Sequence, residues 1–298
     1  MLEPVSAVIP NRDGVDLLRT TLPPLFAELP PPEHEVIVVD DASEDDSLAM
    51  LRAEFPSVRV IALEQNVGFG EACNRGFAEA RHGMVLLLNS DMVVMPGSMN
   101  LLAEHFSDPR MFAAGPIYLG DDEDLESLGS RGGPVRPQIG APAGGGLFRR
   151  DVFHELGGFD PLYYPFYWED LDLGWNAWRA GWRVMYDTRC HFVHMVSRTI
   201  KRLYSAAYVR RIRARNRILF GWKNFDSPAL LRAHHLTLVR RIAADLIRRR
   251  DTASLLGLMD ALRMRTVALA AQPAGPAQLT GAEILEQSHQ DLAELLRI

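Results

Sequence analysis

MVLLLNSD, residues Met84 to Asp91, changes from apolar to polar side chains in a single step. Five apolar residues in a row are typical of a short strand that is buried on both faces of a sheet. The polar run Asn89–Asp91 then follows at the carboxyl end of that predicted strand. Asp91 is therefore expected in the crevice beyond the strand ends, where sheets of this class bind their ligands.

The sequence on both sides of this stretch alternates between strand-like and helix-like segments. The predicted strands are Val5–Pro10, Glu35–Val39, Val58–Ala62, Val85–Leu88 and Met111–Pro116, and two of the predicted helices run from about Val15 to Leu29 and from Gly70 to Arg81. This order predicts an α/β fold with a mainly parallel sheet flanked by helices. Polar residues fall at the predicted carboxyl ends of these strands: Asp40, Asp41, Asn89 and Asp91.

Two local patterns add detail to this prediction. Ser43 and Asp46 form a capping-box-like start for the helix that follows the second strand. The segment Asp121–Arg136 is polar, acidic and rich in glycine, which predicts a loop or an insertion. The glycines Gly144–Gly146 either let the backbone approach a ligand closely or form a flexible turn.

Composition limits the class of protein. A chain of 298 residues that is 47% hydrophobic can bury a full core, as one large domain or as one domain with an appendage. Met1–Pro4 lacks the basic and apolar regions of a secretory signal, and no apolar stretch approaches the roughly 20 residues of a membrane helix. Cys73 and Cys190 offer neither a disulfide framework nor metal-ligand spacing, so a reducing, cytoplasmic setting is predicted.

Basic residues are concentrated between Arg198 and Arg250, where 15 Lys and Arg stand against two acidic residues. This segment has a balance of +13, so the rest of the chain carries −19 to give the net charge of −6. The split predicts an acidic catalytic body with a basic appendage. Two hypotheses for the appendage stay open: peripheral contact with an anionic membrane, or pairing with the acidic body and across a homo-oligomer.

An acidic and aromatic run, Phe166–Asp172 (FYWEDLD), stands where a core would favour aliphatic residues. One interpretation is an acidic first helical turn, because carboxylates there oppose the helix dipole. The other is a catalytic carboxylate: Asp170, beside Tyr167 and Trp168, is predicted to act as a general base whose pKa is raised by partial desolvation. His191 and His194 follow a later predicted strand, and an imidazole, the Asp91 carboxylate and two phosphate oxygens would complete a site for Mg²⁺ or Mn²⁺.

Several segments, in this order and spacing, resemble the family 2 inverting glycosyltransferases of the GT-A fold, especially the rhamnosyltransferase-like branch. The matching segments are Val5–Arg12, Val38–Ser43, Asn66–Gly76, Leu88–Asp91, Gly157–Asp160 and Phe166–Leu173. The resemblance covers about residues 4–200 and continues weakly through Arg215–Arg217 and Lys223–Asn224. It implies a GT-A-like catalytic domain at residues 1–200, followed by a basic helical region at residues 201–298.

The resemblance also implies roles for single residues. Asp41, with Asp40 beside it, would contact the base or ribose of a nucleotide in a pocket lined by Pro10 and Arg12. Asn66, Gly70 and Asn74 would shape the site of the sugar donor. Asn89-Ser90-Asp91 stands in the place of the D-x-D motif of the family, with Asn89 replacing the first aspartate. Asp91 and His194 would hold Mg²⁺ or Mn²⁺. Asp170 would be the base, and Glu169 would support it or bind the acceptor. Arg198 or Arg202 would assist the departing diphosphate.

Each of these assignments has a structural alternative. Asp40 and Asp41 also suit a turn, Asn66 and Asn74 suit helix caps, and His194 suits a satisfied core histidine. The aromatic residues of this region fit either packing or a wall on which an acceptor sugar stacks: Tyr163, Tyr164, Phe166, Tyr167 and Trp168.

The function implied by the resemblance is metal-dependent transfer of a sugar from a nucleotide-diphosphate donor to a hydroxyl of a glycan or lipid-linked acceptor. Transfer would occur by single displacement with inversion, in the biosynthesis of cell envelope polysaccharide at the cytoplasmic face of the membrane. No nucleic-acid partner is predicted. The alternatives are a nucleotide-sugar pyrophosphorylase and a non-catalytic, membrane-associated scaffold of the same fold.

Overall fold

A nine-stranded sheet forms the centre of the computed structural model, which describes residues 3–120, 135–195, 204–271 and 277–295. Its strands are β1 (Val5–Asn11), β2 (Glu35–Asp40), β3 (Arg59–Ala62), β4 (Met84–Leu88), β5 (Met92–Val94), β6 (Met111–Gly120), β7 (Val135–Pro137), β8 (Gly145–Arg149) and β9 (Arg183–His194). They follow the order β3-β2-β1-β4-β8-β6-β9-β5, and β7 pairs with β9.

The half of the sheet that contains β1 is parallel. β1 pairs in parallel with β2 and β4, β2 pairs with β3, and across the sheet β6 pairs with β9 in the same way. β8 is antiparallel to β4 and β6, and β5 and β7 are antiparallel to β9. The predicted α/β class is confirmed. The antiparallel direction of β5, β7 and β8 was not predicted, because apolar periodicity carries no signal for the direction of a strand.

Helices cover both faces of this sheet. They are α1 (Val15–Glu28), α2 (Ser47–Glu54), α3 (Phe69–Glu79), α4 (Ser98–Glu104), α5 (Arg150–Glu155), α6 (Glu169–Arg179), α7 (Ala206–Asn224), α8 (Pro228–Ala244), α9 (Ala253–Arg263), α10 (Arg265–Ala270), α11 (Gly281–Gln287) and α12 (Leu292–Leu295). A π-helical turn, Asp245–Arg249, continues α8. Among the described residues, no helix is both long and apolar enough to span a bilayer.

Two local predictions need correction or qualification. The capping box was wrong: α2 begins at Ser47 without a side-chain cap, and the Ser43 hydroxyl instead donates to Asp40 at 2.6 Å. Asp40, seven positions ahead of the helix, takes that hydroxyl because its carboxylate is buried and needs hydrogen-bond donors. Of the predicted loop Asp121–Arg136, residues 121–134 lie outside the described residues, while Val135 and Arg136 belong to β7.

The helices after residue 204 share a core with the sheet. Ile218, Leu219 and Phe220 of α7 are fully buried in the same cluster as Val8 of β1. The rings of Phe220 and Trp175 lie 5.7 Å apart in an edge-to-face arrangement, which joins α7 to α6. The predicted boundary between residues 200 and 201 lies outside the described residues and stays a prediction.

Candidate functional site

A cavity of about 300 Å³ opens at the carboxyl ends of β1, β2 and β4. It lies where the parallel half of the sheet meets antiparallel β8, so the ends of several strands converge on one space. Ten of the residues predicted from the sequence line it: Pro10, Arg12, Asp41, Asn66, Asn89, Ser90, Asp91, Glu169, Asp170 and His194.

Asp41 lines the cavity and is held by backbone donors. Its carboxylate accepts hydrogen bonds from the N–H groups of Val67 (2.7 Å) and Gly68 (3.1 Å). Burial raises the pKa of Asp41, and these two bonds counter the rise only in part. Gly68 has φ +85°, and a Cβ there would lie 2.7 Å from the ring of Tyr164, so a glycine is required. Arg12 donates to the Asp41 carbonyl at 2.6 Å and completes this wall.

Three predicted site residues lie behind the cavity wall. Asp40 is buried and accepts from the backbone N–H and the hydroxyl of Ser43. Gly70 faces Phe159, because a Cβ on this glycine would lie 3.1 Å from that side chain. Asn74 exchanges two 2.9 Å hydrogen bonds with the backbone of Phe159. All three stabilise the loops that form the cavity, and none of them lines it.

Asp91 and His194 are brought together by strand pairing. β5 pairs with the end of β9 so that Met92 lies opposite His194, and Asp91 directly precedes Met92. The Asp91 carbonyl accepts a 2.8 Å hydrogen bond from the N–H of Met195, which fixes the backbone at this point. As a result, Nε2 of His194 lies 3.4 Å from Oδ2 of Asp91, and both side chains face the cavity.

This pair fits a divalent cation. An imidazole nitrogen and a carboxylate oxygen 3.4 Å apart are close enough to share one ion, and both are ligand types that Mn²⁺ accepts. Beside them, Oδ1 of Asn89 is buried with no hydrogen-bond partner among the described residues. No group of three His, Cys, Asp or Glu converges within the described ranges. The remaining ligands would therefore be water and oxygens of a bound molecule.

Glu169 and Asp170 also line the cavity and stand in the first turn of α6. The acidic run thus does occupy a first helical turn, and two of its carboxyls also face the cavity. Burial raises the pKa of Glu169 well above its ordinary value, and the nearby charge of Asp170 adds to the rise. Burial also raises the pKa of Asp170, although the N–H of Leu171 and the charge of Arg213 oppose it. Oε2 of Glu169 has no hydrogen-bond partner among the described residues.

The turn before α6 is strained. Tyr167 and Trp168 have φ values of +69° and +81°, a region that costs a non-glycine residue about 1–3 kcal/mol. Asn216 of α7 holds this turn, because its Nδ2 lies 3.0 Å from the carbonyl oxygen of Phe166 and 2.8 Å from that of Tyr167. The guanidinium of Arg213 lies 4.1 Å from the ring centroid of Tyr167. Residues of α7 therefore hold the turn that directly precedes Glu169 and Asp170.

The aromatic residues divide into packing and lining groups. Tyr163 and Trp168 are buried in the core, whereas Phe166 and Tyr167 line the cavity. Tyr204 also lines it, with its ring 4.9 Å from that of Phe166, although nothing in the sequence pattern singled it out. The predicted helpers of the leaving group, Arg198 and Arg202, lie outside the described residues.

Comparison with known proteins gives a family match over half of the chain. The model described as glycosyl transferase family 2 matches residues 6–157. This span runs from β1 through α5 and includes the cavity residues from Pro10 to Asp91. Glu169, Asp170 and His194 lie beyond it.

Curated relatives align over part of their length. The chain is 28% identical over 202 residues to N-acetylglucosaminyl-diphospho-decaprenol L-rhamnosyltransferase of Mycobacterium tuberculosis, which covers 53% of this chain and 66% of that protein. It is 34% identical over 160 residues to succinoglycan biosynthesis protein ExoO of Rhizobium meliloti, covering 49% of this chain and 44% of that protein. The chain thus spans 66% of the length of the rhamnosyltransferase and 44% of the length of ExoO.

Solved structures share the fold at low sequence identity. GalNAc-T7 with UDP, GalNAc and Mn²⁺ superposes with a TM-score of 0.65 at 15% identity, covering 96% of this chain and 56% of that chain. S. aureus TarS residues 1–349 superposes with a TM-score of 0.59 at 17% identity, covering 89% of this chain and 81% of that chain. The likeness extends past the family match into the region that contains α6 and β9.

Proposed function

Because the chain belongs to glycosyl transferase family 2, we propose that it transfers a sugar from a nucleotide-diphosphate donor to an acceptor hydroxyl. The proposal depends on one observation above all. A single cavity is lined by Asp41, by the Asp91–His194 pair, and by Glu169 and Asp170. This arrangement suits a donor that lies across the strand ends with its sugar beside the two carboxyls.

The donor would bind through the residues at the strand ends. Asp41 and Arg12 would contact the base or ribose, and Pro10 and Asn66 would line the pocket around them. Asn89 and Ser90 would face the diphosphate. The fold neighbours support a nucleotide-sugar donor, since their structures contain UDP with GalNAc and Mn²⁺ in one case and GDP-Man with Mn²⁺ in another.

Asp91 and His194 would hold Mg²⁺ or Mn²⁺ through Oδ2 and Nε2, the two atoms that lie 3.4 Å apart. The cation, when bound, would offset the negative charge that develops on the departing diphosphate. Asn89, in place of an acidic residue, leaves the ion with one fewer anionic ligand, so the phosphates of the donor would contribute a larger share of its coordination.

Asp170 would act as the general base. Its carboxylate oxygen accepts the proton of the acceptor hydroxyl while the hydroxyl oxygen attacks the anomeric carbon. The bond between that carbon and the diphosphate oxygen breaks on the opposite face, so a single displacement inverts the configuration. The raised pKa of Asp170 makes it a stronger base than an exposed aspartate. Burial raises the pKa of Glu169 and so favours its protonated form, which would donate a hydrogen bond within the same site.

The acceptor would be a glycan or a lipid-linked molecule at the cytoplasmic face of the membrane, in the assembly of cell envelope polysaccharide. The rhamnosyltransferase and succinoglycan relatives support this class of acceptor by their names alone. Phe166, Tyr167 and Tyr204 would give an acceptor sugar an aromatic surface on which to stack.

The test is direct. The protein is incubated with Mn²⁺ and a panel of uridine, guanosine and thymidine diphosphate sugars, and release of nucleoside diphosphate is measured with and without glycan acceptors. We expect release with one donor class, and proton NMR of the product should show an inverted anomeric centre. Retention of configuration would disprove single displacement.

The same assay separates the alternatives. Pyrophosphate formed from a sugar 1-phosphate and a nucleoside triphosphate would indicate a pyrophosphorylase. Donor binding without either hydrolysis or transfer, for every donor and acceptor tested, would indicate a non-catalytic scaffold.

A further inference from the structure

The basic segment predicted from the sequence has two parts with different environments. On α7, basic side chains form ion pairs with carboxylates of the same chain. Arg210 pairs with Asp251 at 2.6 Å, Arg211 pairs with Asp260, and Nζ of Lys223 lies 2.7 Å from Asp172. On α7, therefore, Lys223 pairs with the acidic body, whereas Arg210 and Arg211 pair with carboxylates of the C-terminal region itself.

The cations that follow α7 are different. Arg232, Arg240, Arg248 and Arg250 are exposed, and none of the four makes an ion pair with a described residue. The acidic residues nearby are already engaged, since Asp245 pairs with Arg249 and accepts from Ser254, while Asp251 and Asp260 pair with α7. The surface of α8 and its π-helical turn thus carries positive charge that the chain itself does not neutralise.

Apolar side chains lie on the same elements. Of the twelve large hydrophobic side chains that are exposed in the described residues, ten fall between Leu236 and Leu269. Leu236 and Val239 on α8 and Ile247 in the π-helical turn are exposed, at spacings of three and eight residues that suit one side of a helix. Ile247, in the π-helical turn, is 79% exposed and is followed directly by Arg248, Arg249 and Arg250.

Helix α9 has the same character. Its inner side packs on α7, where Gly257 lies against Ala214. Its outer side exposes Leu255, Met259 and Leu262, which lie at positions i, i+4 and i+7. The α8–α9 hairpin (Pro228–Arg263), including the π-helical turn, therefore presents apolar side chains next to unpaired arginines.

We propose that the α8–α9 hairpin binds the surface of a bilayer that contains anionic lipid. Leu246 and Ile247 enter the boundary between headgroups and acyl chains, and Arg248 and Arg250 contact lipid phosphates. Apolar side chains flanked by arginines are the composition that holds a helix in the plane of a membrane interface. The hairpin holds the protein at the surface without crossing the bilayer.

Charge decides between a bilayer and a second copy of the chain. In a two-fold symmetric dimer the same surface meets itself, so the unpaired arginines of both copies would lie in one interface. The acidic residues of the hairpin already have partners within the chain, and none is free to neutralise that charge. An anionic bilayer supplies both an apolar layer and the missing negative charge.

Vesicle co-sedimentation tests the proposal and needs neither donor nor acceptor, so its result is independent of the transfer reaction. The full chain is mixed with vesicles of phosphatidylcholine alone, or with added phosphatidylglycerol, at low and high salt. We expect binding to the anionic vesicles only, weakened by salt because the Debye length shortens. Arg248→Glu should reduce binding roughly tenfold, and Ile247→Ser should reduce it at unchanged charge.

The matched control is Arg52→Glu, which changes the net charge equally at an exposed position of α2. It should bind like the parent. Circular dichroism and thermal unfolding show that each variant is folded. The proposal is wrong if the parent binds neither vesicle, or if Arg52→Glu weakens binding as much as Arg248→Glu does. It is also wrong if Ile247→Ser dissociates a homo-oligomer while the parent binds neither kind of vesicle, because the surface then contacts a second copy of the chain.

Discussion

Lys223 of α7 places its Nζ 2.7 Å from Oδ2 of Asp172, in the helix that carries Glu169 and Asp170. Its side chain is only 4% exposed, and the same nitrogen lies 2.6 Å from Oδ2 of Asp160. Burial lowers the pKa of Lys223, but the charges of Asp172 and Asp160 more than offset this and keep it raised. The ion triad ties α7 to α6 and to the chain at Asp160, so its loss should weaken the contact between these elements.

We expect Lys223→Met to destabilise the protein by about 3–5 kcal/mol, because it leaves the buried Asp172 and the partly buried Asp160 without their cation. Urea unfolding followed by circular dichroism measures the change. Arg52→Met, at an exposed position, serves as the control and should stay within about 0.5 kcal/mol of the parent. An equal, small effect of both substitutions would show that the triad contributes little.

A second prediction concerns Asn216, whose Nδ2 also lies 2.9 Å from the carbonyl of Tyr163. Asn216→Ala removes the donor that holds the strained turn at Tyr167 and Trp168. We expect a loss of about 1–3 kcal/mol in stability and a lower kcat, since the turn positions Asp170. Asn100→Ala, exposed on α4, should change neither quantity. A normal kcat in a destabilised Asn216→Ala would mean that the turn is held by other contacts.

The sequence predicted the strand ends that line the cavity far better than the contacts that hold the site in place. Apolar runs that end in polar residues located the ends of β1, β2 and β4, because strand burial has a local signature. The contacts of Asn216 and Lys223 join residues about fifty positions apart, and no local pattern encodes them. The positive φ angles of Tyr167 and Trp168 were equally invisible, since neither residue is a glycine. Asp40, Gly70 and Asn74 matched motif segments, yet the structure puts them behind the wall.

The third prediction concerns the cation. Asp91→Ala should abolish the extra thermal stabilisation that a nucleoside diphosphate gives in the presence of Mn²⁺, because stabilisation by a ligand follows its affinity for the folded state. His194→Ala should weaken the same effect. His191→Ala is the matched control, since His191 lies on β9 but does not line the cavity. Metal-dependent stabilisation that survives Asp91→Ala would place the cation elsewhere.

The fourth prediction is a pH dependence that follows from Glu169. Its pKa is raised in the folded state, so above about pH 4.5 the folded protein keeps a proton that the unfolded chain has released. The free energy of unfolding must then fall as the pH rises from 4.5 through the folded-state pKa. Glu169→Gln removes this loss, so its stability relative to the parent should increase with pH, by about 1.4 kcal/mol for each unit of pKa shift. Urea unfolding between pH 5 and pH 8 measures it; parallel curves for the two proteins would contradict the burial of this carboxyl.

The last prediction separates the roles of the two neighbouring carboxyls. Asp170→Asn keeps the shape and the hydrogen bonds of the side chain but cannot accept a proton. Transfer should therefore drop by roughly 10²-fold or more while the donor still binds. Glu169→Gln preserves a neutral hydrogen-bond donor at a position where burial already favours the protonated acid, so it should keep much of the activity. Single-turnover rates and donor affinity are measured for both variants. If Glu169→Gln is inactive and Asp170→Asn transfers sugar at the parent rate, Glu169 is the base, and the protonation states assigned to the pair must be exchanged.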